Sequence, residues 1–352
     1  MPPQRHDDPA IEALRGLAAL IVVAAHYARF VTDQTGAWGF ASTGVDLFFV
    51  LSGYVFAPYF FGKQLTLGSH LVRRFFRLYP LYVLALLTYA ALKMPDPSAW
   101  SHFWTHLFMA HTLQSMEIAS FYNPAFWSLP PEVEFYLVLP LLAWALGRRG
   151  FGWLFTGALV LHLALAAMAV PGEGATARAI ATVHLPGLLI EFCLGAWASK
   201  LARERASGPA AALRLAGGAV WLVTMGAVYA TLIAGGRDQS APGWISGNIG
   251  LGAAVGYALV VSALGTRADG LRDWRLRACL VAGQLSYGVY LFHNAAPPIL
   301  ARLWPGAAGW TALLASLALT LLLAFALHHA VEAPVRDFGR ELSRRIGPRV
   351  PA

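Results

Sequence analysis

This sequence predicts an all-α fold, a bundle of membrane-crossing helices, on three observations. Apolar types make up 57% of the 352 residues and DEKR only 12%, against about 25% charged in an ordinary soluble domain. Long apolar runs recur from end to end, and most reach the roughly 20 residues needed to cross a bilayer core. Basic residues are divided unevenly between the connections, as the positive-inside rule requires.

Ten spans follow, at about 11–31, 43–61, 72–92, 133–147, 151–170, 180–200, 214–234, 246–265, 278–300 and 308–331. The first lies in EALRGLAALIVVAAHYARF. It is too long for a signal-peptide core and has no clear small-residue cleavage site before Arg29, so it is a permanent span. GVDLFFVLSGY opens the second and RRFFRLYP the third. The fourth is short, although Phe126 and Trp127 extend its apolar character towards the N-terminus. The fifth, sixth and seventh are apolar runs of roughly 20 residues. In the eighth, GWISGNIGLGAAVGYA holds no strand-to-helix phosphate loop, and its small residues suit close helix packing. The ninth carries LSYGVYLFH, and VEAP closes the tenth with Glu332 and Pro334.

With the N-terminus in the cytoplasm, one set of connections and both tails hold 21 of the 26 Lys and Arg residues. The opposite set holds only Arg29, Lys93, Arg178, Arg237 and Arg302. A wrong span count would mix the two sets, so ten spans with both termini cytoplasmic are expected. Topology and lipid headgroups then account for the net charge of +8 without nucleic acid. Residues 1–335 form the transmembrane domain and 336–352 a basic cytoplasmic tail. The outer stretch 93–132, rich in Trp and Pro, suits a segment that lies at the interface or re-enters to cap a cavity. Cys193 and Cys279 indicate neither a disulfide framework nor a metal site. His102, His106 and His111 lack the carboxylate or Cys partners of a zinc-like pattern, so no metal is expected.

Polar groups inside apolar runs are costly and usually line a cavity. Arg15 and His26 are eleven positions apart on the first helix, almost three turns, so they share a face about 16 Å apart. Asp46 stands at the outer end of the second span, where it either complements the helix dipole or supports chemistry. Arg73, Arg74 and Arg77 begin the third, as topogenic charge or as a phosphate site. Glu132 and Glu134 are two apart and point away from each other, so at most one faces the cavity. Tyr290 and His293 lie one turn apart in the ninth span, and His328 and His329 read as interfacial. An embedded His near an acid can act as general base on a hydroxyl, while Arg holds the phosphates of a long acyl donor such as acyl-coenzyme A.

These motifs, in this order on this topology, make the chain resemble the membrane acyltransferase-3 family. The matching stretches are LRGLAALIVVAAHY, GVDLFFVLSGY, RRFFRLYP, WSLPPEVEFY, LSYGVYLFH and VEAP. The resemblance implies an integral membrane O-acyltransferase that moves an acetyl or other short acyl group from acetyl-CoA, or another cytoplasmic acyl-CoA, to a hydroxyl of a carbohydrate or lipid-linked saccharide. It implies His26, Asp46 and Glu132 as catalytic positions and Arg15, Arg73, Arg74 and Arg77 as donor-binding ones. Trp127, Ser128, Tyr287, Tyr290 and His293 are then expected around the acceptor, and the bacterial inner membrane is the expected location. One departure is the Pro130-Pro131 pair, where the family commonly has a pair such as Ser-Val. A double Pro is compatible with a helix starting at Glu132. The rival class is a transporter or flippase with His26, Asp46 and Glu132 as a proton relay. A third class is a catalytically idle partner in a polysaccharide complex.

Overall fold

The computed structural model describes residues 8–32, 36–146, 150–167, 183–204, 208–235, 244–265 and 273–346. Among these the regular structure is helical, with no strand. The long helices are α1 (Pro9–Tyr27), α2 (Gly44–Phe60), α3 (Leu67–Lys93), α4 (Leu129–Leu146), α5 (Phe151–Ala167) and α6 (Leu185–Glu204). They continue with α7 (Pro209–Val228), α8 (Trp244–Leu264), α9 (Asp273–Phe292), the short α10 (Ala296–Leu303), α11 (Gly309–Leu327) and α12 (Ala333–Ile346).

Every expected span falls on a helix, and among the described residues eight helices are long and apolar enough to cross a membrane. The apolar α5 covers 151–167 of its expected span, and 168–170 lie outside the described residues. One expectation is corrected. The 278–300 span is not continuous: α9 ends at Phe292, and α10 restarts at Ala296. Chemistry explains the break. Pro297 and Pro298 have no N–H to give to the carbonyls four residues earlier, those of His293 and Asn294, so the helix cannot run through.

The core is set by α6, 72% of whose apolar window is buried, whereas α7 buries only 6% and turns its apolar surface outwards. That contrast suits a bundle surrounded by lipid, where association depends on close packing rather than on hydrophobic burial. Glycines permit it: a Cβ on Gly53 of α2 would collide with the Phe192 carbonyl of α6, and one on Gly195 of α6 with the Val50 carbonyl of α2. The interior between α2, α3, α4 and α6 is aromatic, with Phe49, Phe60, Tyr82, Phe126, Phe135 and Phe192 all fully buried.

The stretch 93–132 is a chain of short turns whose outer face exposes Trp100, Trp104 and Phe108. Its inner end is tied to the bundle by the buried Asn123. That side chain donates to Tyr89 Oη (3.0 Å) and to the Leu291 carbonyl (3.1 Å), and accepts from Asn294 (2.8 Å). The last span passes through a π turn, His328–Glu332, into α12, so the 335/336 boundary lies inside one continuous helical stretch. Residues 336–346 pack on α3, with Phe338 against Phe76, and 347–352 lie outside the described residues.

Candidate active site

A cleft opens between α1, α2, α3, α4 and α9. Arg15, Arg77 and Glu132 supply its charged groups. Ser52, Ser128, Ser286, Tyr287 and Tyr290 supply its hydroxyls, and Val45, Phe48, Phe49, Leu78 and Leu129 its apolar wall. Glu132 falls in the first turn of α4, which begins at Leu129 and takes both Pro130 and Pro131 into its first turn, where their missing N–H groups cost nothing. The Glu132 carboxylate accepts from Ser52 Oγ at 3.3 Å and from the Tyr136 hydroxyl. Glu134 points elsewhere, as the spacing required. It binds His184 and accepts from the Leu185 backbone N–H at 2.8 Å, which caps α6.

The arginines divide. Arg15 and Arg77 line the cleft, yet neither comes within salt-bridge distance of Glu132; Arg15 instead meets Glu12 at 3.5 Å. Arg74 lies just behind, over the rings of Phe56 (4.9 Å) and Tyr136 (5.5 Å), with its Nε buried and without a hydrogen-bond partner. Arg73 is exposed and turns back to the Ser69 carbonyl and hydroxyl, so the structure does not bring it to the cleft. Even with Glu12 counted against Arg15, the three arginines Arg15, Arg74 and Arg77 outnumber Glu12 and Glu132, which suits an anionic group.

His26 is not part of the cleft wall. It sits farther along α1, where its Nδ1 lies 2.9 Å from the Val22 carbonyl and 3.3 Å from His293 Nε2. Its ring centroid is 4.8 Å from that of His293. Between this pair and the cleft stand Tyr290, whose ring is 6.1 Å from His293, and Phe48, edge-on to Tyr290 at 5.5 Å. Tyr290 is pinned: its hydroxyl donates to the Ala125 carbonyl (2.7 Å) and meets Ser128 Oγ (2.6 Å). Tyr287 likewise donates to the Leu78 carbonyl at 2.9 Å. Trp127 lies behind the wall, edge-on to Phe49 at 6.4 Å.

The sequence missed Glu191. Asp46 lies buried, and its carboxyl hydrogen-bonds to that of Glu191 on α6 rather than to any histidine. The signal was available, since a carboxyl group alone in the apolar run LLIEFCLG needs a partner for the same reason that His26 does. Among the described residues no direct hydrogen bond links His26, Asp46 and Glu132 to one another. Glu332 meets His328 at 3.0 Å, both buried.

Comparison with known proteins gives the geometry its context. A family model described as an acyltransferase domain matches residues 8–329. A relative named Acyltransferase MdmB, from Streptomyces mycarofaciens, is 29% identical across 97% of this chain and 95% of its own. Protein 2 in the picA locus of Rhizobium radiobacter is 44% identical over 27% of this chain and 53% of its own. Peptidoglycan O-acetyltransferase OatA of Listeria monocytogenes is 29% identical over 38% of this chain and 23% of its own length. No solved structure matches the chain.

Proposed function

The chain belongs to the acyltransferase-3 family and is a multi-pass membrane acyltransferase, and from that premise we propose an O-acyl transfer from acyl-CoA in which His26 is the general base. The single observation that carries this reading is the positive cleft holding Arg15 and Arg77 on one side of Tyr290 and Phe48, with the His26 imidazole on the other.

The two arginines suit the phosphates of the donor, which gain charge-assisted, bidentate hydrogen bonds there. Arg74, with its unpartnered Nε beside them, adds to the field. With both termini in the cytoplasm, Arg15 lies on the cytoplasmic side of His26, and a donor about 16 Å long spans the distance between them. Its acyl end reaches the base past Phe48. That ring makes no hydrogen bond, whereas Tyr290 is held by two.

In the reaction the acceptor hydroxyl gives its proton to His26 Nε2 as its oxygen attacks the thioester carbonyl. The C–S bond then breaks, and the coenzyme A thiolate takes the proton back from the imidazolium. Each proton transfer of this kind contributes about 10²–10⁴-fold. Glu132, held by Ser52 and Tyr136, keeps the cleft shaped for donor entry. Asp46, through Glu191, fixes the helix that carries Phe48 and Ser52. The acceptor is the hydroxyl of a carbohydrate or lipid-linked saccharide in the bacterial inner membrane, a reading supported by the likeness to a peptidoglycan O-acetyltransferase.

Radiolabelled acetyl-CoA, purified protein in nanodiscs and a panel of glycans test this directly. Acceptor-dependent coenzyme A release and label transfer are expected. Label retained on His26 without acceptor makes it an acyl carrier instead, and no turnover with any glycan sinks the proposal.

A further inference from the structure

His293 lies deeper than any other histidine near the cleft, and its position is over-determined. The missing N–H of Pro297 frees the His293 carbonyl, which accepts from the Tyr27 hydroxyl at 2.6 Å; that hydroxyl also meets Thr320 Oγ1 at 2.8 Å. On its N-terminal side the Leu291 carbonyl, released by the same break, accepts from Tyr89 Oη (2.9 Å) and Asn123 Nδ2 (3.1 Å). The side chain is 0% exposed. A residue clamped from α1, α3, α11 and the outer stretch is built to hold something else still.

The hydrogen-bond partners fix both tautomers. His293 Nδ1 is 2.8 Å from the Tyr290 carbonyl, which offers only lone pairs, so Nδ1 carries the hydrogen and Nε2 is an acceptor. His26 Nδ1 faces the Val22 carbonyl at 2.9 Å, so it too carries its hydrogen, which it shares with His293 Nε2 at 3.3 Å. The two rings therefore fit as donor and acceptor, and the lone pair of His26 is left on Nε2, the atom that general-base chemistry needs.

We propose that His293 is the positioning residue for His26: a neutral imidazole takes the place that a carboxylate occupies in a Ser-His-Asp triad. It accepts the Nδ1–H of His26, holds the reactive tautomer and stabilises the imidazolium formed when Nε2 takes a proton. The neighbouring groups are consistent with that assignment. Tyr27 and Tyr290 face the pair from α1 and α9, Arg29 follows in the turn after α1, and among the described residues no carboxylate forms an ion pair with His26. The proposal rests on the acyl-transfer reading only for its consequence; the hydrogen-bond geometry is independent of it.

The test uses diethyl pyrocarbonate, which acylates the neutral imidazole. The rate of modification of His26 is followed against pH by mass spectrometry of its peptide, in the wild type, His293→Phe and His293→Gln, beside acetyl-CoA turnover. Removing the acceptor destabilises the imidazolium, so His293→Phe is expected to move the His26 midpoint down by about one pH unit or more and to slow turnover at least about 10-fold. His293→Gln, which keeps an acceptor oxygen, is expected to restore most of both.

An unchanged midpoint in a folded His293→Phe protein overturns the proposal, and so does a Gln variant as impaired as Phe. If the Phe variant does not fold, the Gln result decides alone, because a residue acting by its own titration is not rescued by an amide. A shifted midpoint in a protein that turns over no acetyl-CoA supports the pairing and sinks the acyl-transfer reading instead.

Discussion

Two of the histidine pairs among the described residues bring their rings together in opposite ways. In the His26–His293 pair the rings are tilted by 58° and meet nitrogen to nitrogen at 3.3 Å, and the outer partner is part exposed. In the His106–His111 pair of the outer stretch the rings stack face to face, 4.3 Å apart and 2° from parallel, with both side chains 0% exposed. Each of those rings gives one N–H to a carbonyl, His106 to His102 and His111 to Phe126, and keeps its other nitrogen buried and unpartnered. Stacking satisfies packing, with Tyr122 edge-on to His106 at 4.8 Å, but it offers neither a shared proton nor an accessible lone pair. An imidazole pair acts through its edges.

The sharpest way to break the comparison is to truncate one member of each. His26→Ala is expected to reduce acyl transfer by about 10²–10⁴-fold with the thermal midpoint kept. His111→Ala is expected to lower the thermal midpoint and to leave turnover by the folded fraction intact. Equal loss of folded protein in both would make His26 structural, a result that thermal denaturation beside acetyl-CoA turnover reads directly.

Next in size is Arg77→Ala. A charge-assisted hydrogen bond contributes about 1.5–3 kcal/mol, so coenzyme A affinity is expected to fall by roughly 10–100-fold. Calorimetric titration checks this, and an unchanged affinity removes the cleft from donor binding.

The outer pair has its own pH signature. Burial, and then the charge of His106, lowers His111 to about 3, and burial also lowers His106. Above about pH 6.5 both histidines are neutral, folded or unfolded, and the pair contributes no pH dependence. Below that the unfolded chain binds protons that the native pair refuses. Stability is therefore expected to fall with acid by up to about 1.4 kcal/mol per pH unit for each histidine. Thermal scans from pH 7 to 4 should show a shallower slope for the double variant His106→Phe, His111→Phe, and an unaltered slope contradicts the assignment. The smallest effect is expected from Phe48→Ala: a few-fold gain for longer acyl donors over acetyl-CoA, read as the ratio of kcat/KM values, and no change in that ratio would place the donor path elsewhere.

The sequence made the helices legible because apolar runs have a length that the bilayer imposes. It made Arg15, Arg77 and Glu132 legible because charge in such a run is expensive. The interruption after Phe292 was less visible, since FHNAAPPILA keeps its apolar character straight through, and only the paired prolines carried the signal. Partnerships were not legible at all. His26 and His293 are 267 positions apart, and Asp46 and Glu191 lie on helices whose neighbourhood depends on glycines at Gly53 and Gly195 rather than on any local pattern. Arg15 and His26 both fall on α1, but their spacing gave no hint that Phe48 and Tyr290 divide the space in front of that helix.

The break after Phe292 also has a meaning for biosynthesis. The helix carrying His26 leaves the ribosome first, while the carbonyl that Tyr27 grips, and the ring that His26 faces, arrive only with the penultimate hydrophobic segment. Until then the first segment waits in the bilayer with an unmatched imidazole and phenol. On the proposed pairing the reactive centre forms only near the end of translation, and a chain terminated before it is expected to be inert towards acyl donors however well its early helices have inserted.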